Sequence, residues 1–516
     1  MNDSTLMTGK EILIRELLIL FFNVVLKGIR FIKNILMKKP IINFNRRNFL
    51  EMAAVGAGTI FLPKLSFGQE TYENPGNGTF LFQELARNLS VVDDVDVIVC
   101  GGGPAGVSAA ITAARAGAKV RLFEVNGCLG GIWTAGLLTW IFDFNKPGLT
   151  KEITVKLDER GARRGTDPGM FVYEPDEMKL LLEDLCVEAG VKFRLQTRLV
   201  AAYRDGQQLT TIITESRSGR EAWRAKVFVD ATGDGDLGAL AGCNWDIGQE
   251  KDCPCQPLTM NALAAVGDVT KLQKYISFYG GGDMTTHLQA VKQFKEEINR
   301  SGINPSYGMP TLFHVRDNVV LLMVNHEYGV KPYDADAMTS ATVRARKEIF
   351  KIARGLRQLG GIWDGFQIIA SAEQIGIRDG RRIHGRYKIV KDDLVKGARF
   401  DDGVCKVTFG VDIHADTKAN NDKETITRGG IKSQPYDIPL RALIAKDVDG
   451  LMMAGRCISG DFVAHASYRV TGNAVAMGEA VGIVAAISAQ SKHFPHEVEW
   501  KEAKKSLEEM KSHFKT

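Results

Sequence analysis

After the first 90 or so residues, apolar residues come in short runs that predict buried parallel strands. Residues 96–100 form such a run, a glycine-rich turn follows, and a small-residue helix is predicted over 107–116. A second strand is predicted over residues 119–123. Uninterrupted apolar runs are typical of strands that helices cover on both faces. The order strand, turn, helix, strand therefore predicts a βαβ unit and an α/β fold.

The remaining pattern predicts two domains after a leader at residues 1–68. The first, over 90–243 and 435–490, is Rossmann-like with an inserted β-meander. The second, over 244–434, lacks the βαβ pattern, includes predicted helices over 286–299 and 340–358, and is predicted to be α+β. Residues 491–516 form a C-terminal helix or tail.

The turn after the first strand carries the strongest chemical signal. Gly101, Gly103 and Gly106 match G-x-G-x-x-G, in which glycines permit a tight bend, approach of a pyrophosphate and close helix–strand packing. Glu124 ends the second strand 23 residues after Gly101, where an acid accepts hydrogen bonds from an adenosine ribose. We predict a dinucleotide site. The alternative is a glycine-rich turn in an ordinary α/β domain.

Further glycine-rich segments lie at 126–136, 226–236, 450–456 and 472–478, and an arginine-rich segment lies at 375–385. In this order they resemble the FAD-dependent oxidoreductases of the glutathione-reductase-like superfold, in particular the branch with G-G-x-x-T-x-G after the ribose acid and A-G-R-C-I-S near the end. The resemblance implies FAD, held by the Rossmann-like domain, with the α+β domain binding substrate. The cofactor-binding residues that it implies are Gly101, Gly103, Pro104, Ala105, Gly106, Glu124, Gly130, Gly131, Thr134, Gly233, Asp234, Gly455, Arg456, Asp461, Gly472, Asn473 and Ala474.

The leader carries an independent signal. Arg46 and Arg47 precede Phe-Leu and a weakly apolar stretch over 52–63, the pattern of a twin-arginine export signal. We predict that the twin-arginine translocase exports the folded protein to the periplasm or another extracytoplasmic compartment. The alternative is a chance Arg-Arg pair. Residues 12–36 predict either a basic amphipathic helix, which would associate an uncleaved leader with a membrane, or a mis-assigned start with translation beginning at Met37.

Charge and cysteine usage exclude several classes of protein. The whole chain is +5, but the leader holds ten Lys or Arg and four Asp or Glu, so the remainder is −1 and no nucleic-acid partner is predicted. No C-x-x-C occurs, which argues against an iron–sulfur cluster, and no cysteine pair four residues apart follows the flavin loop, which argues against a disulfide reductase. Cys253 and Cys255 are predicted to be idle thiols in a solvent-facing turn. The nine histidines are dispersed, and no metal site is predicted.

The sequence has no second G-x-G-x-x-G after a strand, so a separate NAD(P)H domain is not predicted. Electrons are expected to come from a small organic substrate and to leave to an acceptor protein or a quinone.

The family resemblance places His465 and Arg469 near the reactive edge of the flavin. His465 would accept a proton, unless it is a structural histidine, and Arg469 would bind a carboxylate or stabilise anionic reduced flavin. Arg378 and His384, in the arginine-rich segment, are the other candidate catalytic residues.

The sequence therefore predicts an exported FAD-dependent dehydrogenase or oxidase that transfers a hydride from substrate to flavin N5. Two alternatives remain open. One is a flavin-bearing subunit that passes electrons to a partner, and the other is a reductase of an activated double bond.

Overall fold

The computed structural model describes residues 84, 86–165, 167, 169–249, 255–427 and 430–512. The predicted leader, including Arg46, Arg47 and the alternative start at Met37, lies outside the described residues. The chain divides into two compact units, Met1–Arg87 and Asn88–Thr516. The architecture below is that of the second unit.

The first part of this unit alternates strands with helices and then continues as three long strands. Its elements are β1 (Val91–Cys100), α1 (Pro104–Arg115), β2 (Val120–Phe123), β3 (Trp140–Ile141), α2 (Leu149–Glu159), β4 (Arg163–Arg164), β5 (Phe171–Tyr173), α3 (Pro175–Glu188), β6 (Lys192–Arg194), β7 (Arg198–Asp205), β8 (Gln208–Ser216), β9 (Gly219–Asp230) and α4 (Asp236–Leu240).

The middle part contains two long helices, each begun by an aspartate. Asp283 accepts a hydrogen bond from Thr286 N, and Asp334 accepts one from Ala337 N, so the helices begin earlier than the apolar pattern predicts. The elements are β10 (Trp245–Asp246), β11 (Asn261–Ala265), α5 (Met284–Arg300), β12 (Thr311–Arg316), β13 (Val319–Met323), α6 (Ala335–Gln358), β14 (Gln367–Ser371), β15 (Arg382–Ile383), α7 (Lys391–Lys396), β16 (Gly403–Val407), β17 (Ile413–His414), α8 (Lys418–Lys423) and β18 (Ile426–Thr427).

The last part returns the chain to the first sheet and ends in helices. Its elements are β19 (Tyr436–Pro439), β20 (Leu451–Met453), α9 (Phe462–Tyr468), α10 (Thr471–Ser491) and α11 (Trp500–Ser512).

The main sheet has seven strands, in the order β6-β2-β1-β9-β8-β7, with β20 also paired to β9. Val97 of β1 lies opposite Val120 of β2 and Val227 of β9, and these three strands are parallel. β7, β8 and β9 form an antiparallel meander. The predicted α/β fold is confirmed. Because parallel strands share a direction, the carboxyl ends of β1, β2, β9 and β20 meet at one edge of the sheet.

Helix α10 packs against α1 at the centre of the molecule. Ser108 Oγ donates to Val475 O at 2.7 Å, and a side chain on Gly478 would overlap the backbone of Ala105. Among the described residues, α10 is the one helix long and apolar enough to cross a membrane, but 94% of its most apolar window is buried inside the protein. That burial is characteristic of a core helix.

The middle part has its own four-stranded antiparallel sheet, in the order β12-β13-β11-β14, and its own hydrophobic core. Trp140 of β3 joins this second core, where its ring stacks between Phe278 at 4.6 Å and Phe313 at 4.9 Å. The two cores therefore meet next to the segment that follows the glycine-rich loops. The domain boundaries at 243/244 and 434/435 stay a prediction, since Asn88–Thr516 forms a single compact unit.

Candidate active site

The turn between β1 and α1 contains one glycine that faces open space. A Cβ on Gly101 would overlap Ala231, and one on Gly106 would overlap the carbonyl of Gly101, so both positions require glycine for packing. A Cβ on Gly103 would meet no atom within 4 Å. Gly103 is also the N-cap of α1 and supplies no side-chain cap, which leaves the first N–H groups of the helix available to an anion.

Glu124 immediately follows β2, beside this turn, and hydrogen bonds hold its carboxylate in place. Its Oε2 accepts a hydrogen bond from Gly102 N at 2.6 Å, and its Oε1 accepts from Asn126 N at 2.8 Å and from Asn126 Nδ2 at 2.7 Å. The carboxylate is buried. A fixed acid at this place suits the predicted contact with a ribose.

The second glycine-rich loop lies against the first. A Cβ on Gly131 would come within 3.1 Å of Gly103 Cα, and one on Gly130 would meet the side chain of Thr134. Thr134 Oγ1 donates to Leu129 O at 2.5 Å, so this hydroxyl holds the loop in shape. The structure thus brings the two loops together at the edge of the sheet.

The ends of β9 and β20 meet through an ion pair. Arg456 Nη1 donates to Asp234 Oδ1 at 3.2 Å and to Ile377 O at 2.7 Å. A Cβ on Gly233 would overlap the guanidinium of Arg456, and one on Gly455 would lie 3.3 Å from Ala105 Cβ. Arg456 therefore connects the sheet edge to the segment that carries Arg378.

Two predicted cofactor residues have structural contacts at helix starts. Pro104 is the first residue of α1. Asp461 caps α9, because its Oδ1 accepts from Ala464 N and its Oδ2 accepts from Lys391 N, both at 2.7 Å. A cofactor contact for these two residues stays a prediction.

The N-terminus of α10 presents unused donors. Its N-cap provides no side-chain cap, and the buried Asn473 has no hydrogen-bond partner for Nδ2, whereas its Oδ1 accepts from Cys405 Sγ at 3.5 Å. A Cβ on Gly472 would overlap the carbonyl of Asp143, and Ala474 is buried beside it. These donors suit an electronegative edge of a ligand, such as the pyrimidine end of a flavin.

A pair made of the partly buried Asp412 carboxylate and the buried His414 imidazole lies next to this helix start. His414 Nε2 contacts Asp412 Oδ2 at 3.3 Å, and Arg469 Nη2 donates to both Asp412 Oδ2 and Asp412 O at 3.0 Å. Nδ1 of His414 is buried without a hydrogen-bond partner. Arg469 immediately follows α9 and lies two residues before α10. The pair is therefore tied to the segment that leads into the candidate cofactor site.

Three more side chains complete this cluster. The ring centroid of His326 lies 4.1 Å from that of Tyr307 and 5.1 Å from that of His414, and His326 Nε2 is buried without a partner. Arg378 Nη1 donates to Thr259 Oγ1 at 2.7 Å and to Pro257 O at 2.8 Å. We call Tyr307, His326, Arg378, Asp412, His414 and Arg469 the junction cluster.

Burial and charge set the protonation states in the junction cluster. Burial, followed by the charge of Arg378, lowers the pKa of His414 to about 4. The same two causes hold the pKa of His326 well below its usual range. Burial alone would raise the pKa of Asp412, but His414 and Arg469 outweigh it, and that pKa lies well below its usual range. At neutral pH the cluster therefore holds neutral imidazoles beside an ionised carboxylate and cationic arginines.

The four predicted catalytic residues have different surroundings. Arg378 and Arg469 belong to the junction cluster. His465 is 0% exposed, both its ring nitrogens lack hydrogen bonds, and Nδ1 lies 4.0 Å from Asp379 Oδ1. His384 is partly exposed and its Nε2 contacts Asp246 Oδ1 at 3.2 Å, outside the cluster. Catalytic roles for His465 and His384 stay predictions.

Tyr307, His326, Asp412 and His414 were not predicted from the sequence. One signal for them existed, because Asp412 and His414 are two residues apart in Val-Asp-Ile-His, and alternate residues of an extended segment share a face. Tyr307 and His326 carry no local pattern that would associate them with this pair.

The cysteine prediction is wrong at Cys255. This residue is buried and forms a disulfide, so it is neither solvent-facing nor an idle thiol. A pocket of about 370 Å³ opens beside it, and its lining includes His414, Gln256, Asp416 and Phe462. The pocket gives the junction cluster a neighbouring space of small-molecule size.

The fold and the site together define a dinucleotide-dependent enzyme class. The open glycine turn, the fixed acid after β2 and the unpartnered donors at α10 fit FAD. In agreement, the family model described as FAD dependent oxidoreductase matches residues 96–507. The chain belongs to this family, and its cofactor is FAD.

Individual relatives match shorter stretches. The thiamine thiazole synthase of Pyrococcus horikoshii is 34% identical over 113 residues, which is 22% of this chain and 41% of that protein. The mitochondrial dihydrolipoyl dehydrogenase of Caenorhabditis elegans is 54% identical over 50 residues, 10% of each chain. The chain thus spans less than half the length of these curated relatives. A geranylgeranyl bacteriochlorophyll reductase-like protein of Thermoplasma acidophilum is similar at 14% identity with a TM-score of 0.43, over 81% of this chain and 84% of that one.

Proposed function

We propose that this protein is an exported FAD-dependent dehydrogenase or oxidase that acts on a small organic molecule. Bound FAD supplies a hydride acceptor at N5, and the protein supplies orientation, charge and a proton acceptor. We assign the proton acceptor to His414. We further propose that the electrons leave to an acceptor protein or a quinone.

The Asp412–His414 pair is the observation that carries this proposal. The carboxylate lies at Nε2 of the imidazole, so the neutral ring keeps its proton there and its lone pair at Nδ1. Nδ1 is buried and has no hydrogen-bond partner among the described residues. It can accept a proton from a substrate hydroxyl or amine while hydride leaves the adjacent carbon. The imidazolium that forms lies beside an ionised carboxylate, which stabilises it.

The position of the pair supports the same role. Arg469 holds Asp412 and stands two residues before α10, whose N-terminus we assign to the flavin. The neighbouring pocket of about 370 Å³ reaches His414. The lining of this pocket also includes Phe462, the first residue of α9, which follows the predicted cofactor residue Asp461.

His465 remains the alternative proton acceptor. It is 0% exposed and lies inside α9, so a ligand would contact it only after α9 moves. His414 is 6% exposed and lines the pocket beside Cys255, and its carboxylate partner Asp412 fixes its ring. We therefore favour His414.

Anaerobic titration of the FAD-loaded protein against a panel of small alcohols, amines and hydroxy acids tests the proposal. Bleaching of the visible flavin absorption by one compound is expected for the dehydrogenase. His414→Gln should slow that bleaching, whereas His496→Gln, a variant of a histidine at the surface, should not.

Other outcomes would favour the alternatives. Bleaching only by a reduced protein donor would indicate an electron-transfer subunit. Reoxidation of chemically reduced protein by an unsaturated compound, without bleaching by any alcohol or amine, would indicate a reductase.

A further inference from the structure

The junction cluster holds more positive than negative charge. Arg378 and Arg469 are both cationic, and the imidazoles of His326 and His414 are neutral. Among the described residues, Asp412 is the one carboxylate that accepts a hydrogen bond from either guanidinium. Nearby Asp379 already forms an ion pair of 2.9 Å with a different arginine, Arg382. Both guanidiniums are partly buried. Charges withdrawn from water are ordinarily paired, so an excess of one positive charge indicates a missing anion.

The same two arginines have unused donors. Among the described residues, Arg378 makes its hydrogen bonds through Nη1, to Pro257 O and Thr259 Oγ1. These bonds fix the guanidinium and leave Nε and Nη2 for a ligand. Arg469 Nε is buried and has no partner. Guanidinium groups bind planar carboxylates through two parallel hydrogen bonds. Arg469 Nη2 and His414 Nε2 both contact Asp412 Oδ2, so a ligand on Arg469 would lie in the same cluster as His414.

We propose that Arg378 and Arg469 bind the carboxylate of the substrate, so that the molecule oxidised is a small carboxylic acid with a hydroxyl or amine near its carboxyl group. This inference rests on the proposed function. A carboxylate carries a single negative charge, which matches the excess charge of the cluster, whereas a phosphate dianion would exceed it. The carboxylate would orient the substrate and place its hydroxyl or amine towards His414.

Anionic reduced flavin is the other source of negative charge at this place, and the test separates the two. The oxidised FAD-loaded protein, in which the flavin is neutral, is titrated with matched pairs: acetate and acetamide, and lactate and lactamide. Binding is read from the shift of the visible flavin spectrum and from thermal stability. Carboxylates should bind about 10- to 100-fold more tightly than the amides, the range for charge-assisted hydrogen bonds.

Variants identify the residues that bind the acid. Arg378→Gln should abolish the preference for acids, and Arg378→Lys should retain part of it because the charge remains without the planar donors. Thr259→Val removes a hydrogen bond that fixes Arg378 and should weaken acid binding without changing the charge. Arg386→Gln, which alters a surface arginine paired with Asp449, is the matched control and should bind acids like the wild type.

Two results would overturn the inference. One is equal binding of acids and amides. The other is unchanged acid binding in Arg378→Gln together with a lowered flavin reduction potential, which would show that the charge serves the reduced flavin. Because these titrations use oxidised protein, they remain informative even when no compound reduces the flavin, so failure of the proposed function is recognised separately.

Discussion

Substitutions at Gly103 and Gly106 should distinguish a loss of cofactor binding from a loss of folding stability. In the described part of the chain, a Cβ on Gly103 would meet no atom within 4 Å, whereas one on Gly106 would lie 1.8 Å from Gly101 O. The first position should therefore tolerate a side chain in the protein without FAD but not in the complex. The second should not tolerate one in either state.

The expected magnitudes follow from these distances. At Gly103, which is extended with φ −71°, alanine costs only the difference in N-cap preference, about 1 kcal/mol or less. At Gly106, an overlap with backbone forces α1 away from β1, and overpacking of this kind costs roughly 1–3 kcal/mol or more. Gly103→Val adds a branched side chain where a pyrophosphate would approach, so FAD should be lost while the fold persists.

The assay has two measurements. Flavin content per chain is determined on the purified proteins, and urea unfolding is measured on protein freed of FAD, because bound ligand would itself add stability. Gly103→Val should purify nearly free of flavin with apoprotein stability close to the wild type. Gly106→Ala should lose stability in the apoprotein. A Gly103→Val protein with full flavin occupancy would refute the assignment of this turn to the pyrophosphate, and a Gly106→Ala apoprotein of wild-type stability would refute the packing argument.

Three further predictions concern the junction cluster and the leader. His414→Gln should slow single-turnover flavin reduction by about 10²–10⁴-fold, and a rate equal to that of His496→Gln would exclude His414 as the base. Folding lowers the pKa of His414 from 6.5 to about 4, so the unfolded chain takes up a proton at higher pH than the folded one. The free energy of unfolding should therefore decrease by up to roughly 3 kcal/mol as the pH falls from 6.5 to 4. His414→Gln should flatten this part of the apoprotein stability profile, and an unchanged profile would contradict the assigned burial. Replacing Arg46 and Arg47 with Lys should retain FAD-loaded precursor in the cytoplasm, and unchanged export by cell fractionation would contradict the twin-arginine prediction.

The fold was predictable where its determinants are local. The glycine turn after β1 and the acid after β2 are close in sequence, and the structure brings Glu124 into contact with Gly102 of that turn. The positions of the helices were also predictable from their apolar faces. The first residues of the two long helices were not, because Asp283 and Asp334 cap these helices and extend them beyond the apolar pattern.

The junction cluster was only partly predictable because its members come from distant segments. Tyr307 precedes β12 and His326 follows β13, and packing of these loops brings both side chains to His414. Nothing in their neighbouring residues specifies this contact. Histidines also differ in burial in a way that sequence does not reveal. His465 follows a recognisable motif and is 0% exposed, whereas His414 has no motif, is 6% exposed and lines a pocket.

The two proposals for the junction cluster reinforce each other electrostatically. After burial, the charge of Arg378 is the largest cause that lowers the pKa of His414. A carboxylate bound to Arg378 would neutralise that charge and raise the pKa of His414 towards its ordinary value. The imidazole would therefore become a stronger base when an acid substrate is present, and a neutral analogue would leave it weak. On this reasoning, the carboxylate affects the rate of proton acceptance as well as binding, so amide analogues should lose kcat and not only affinity.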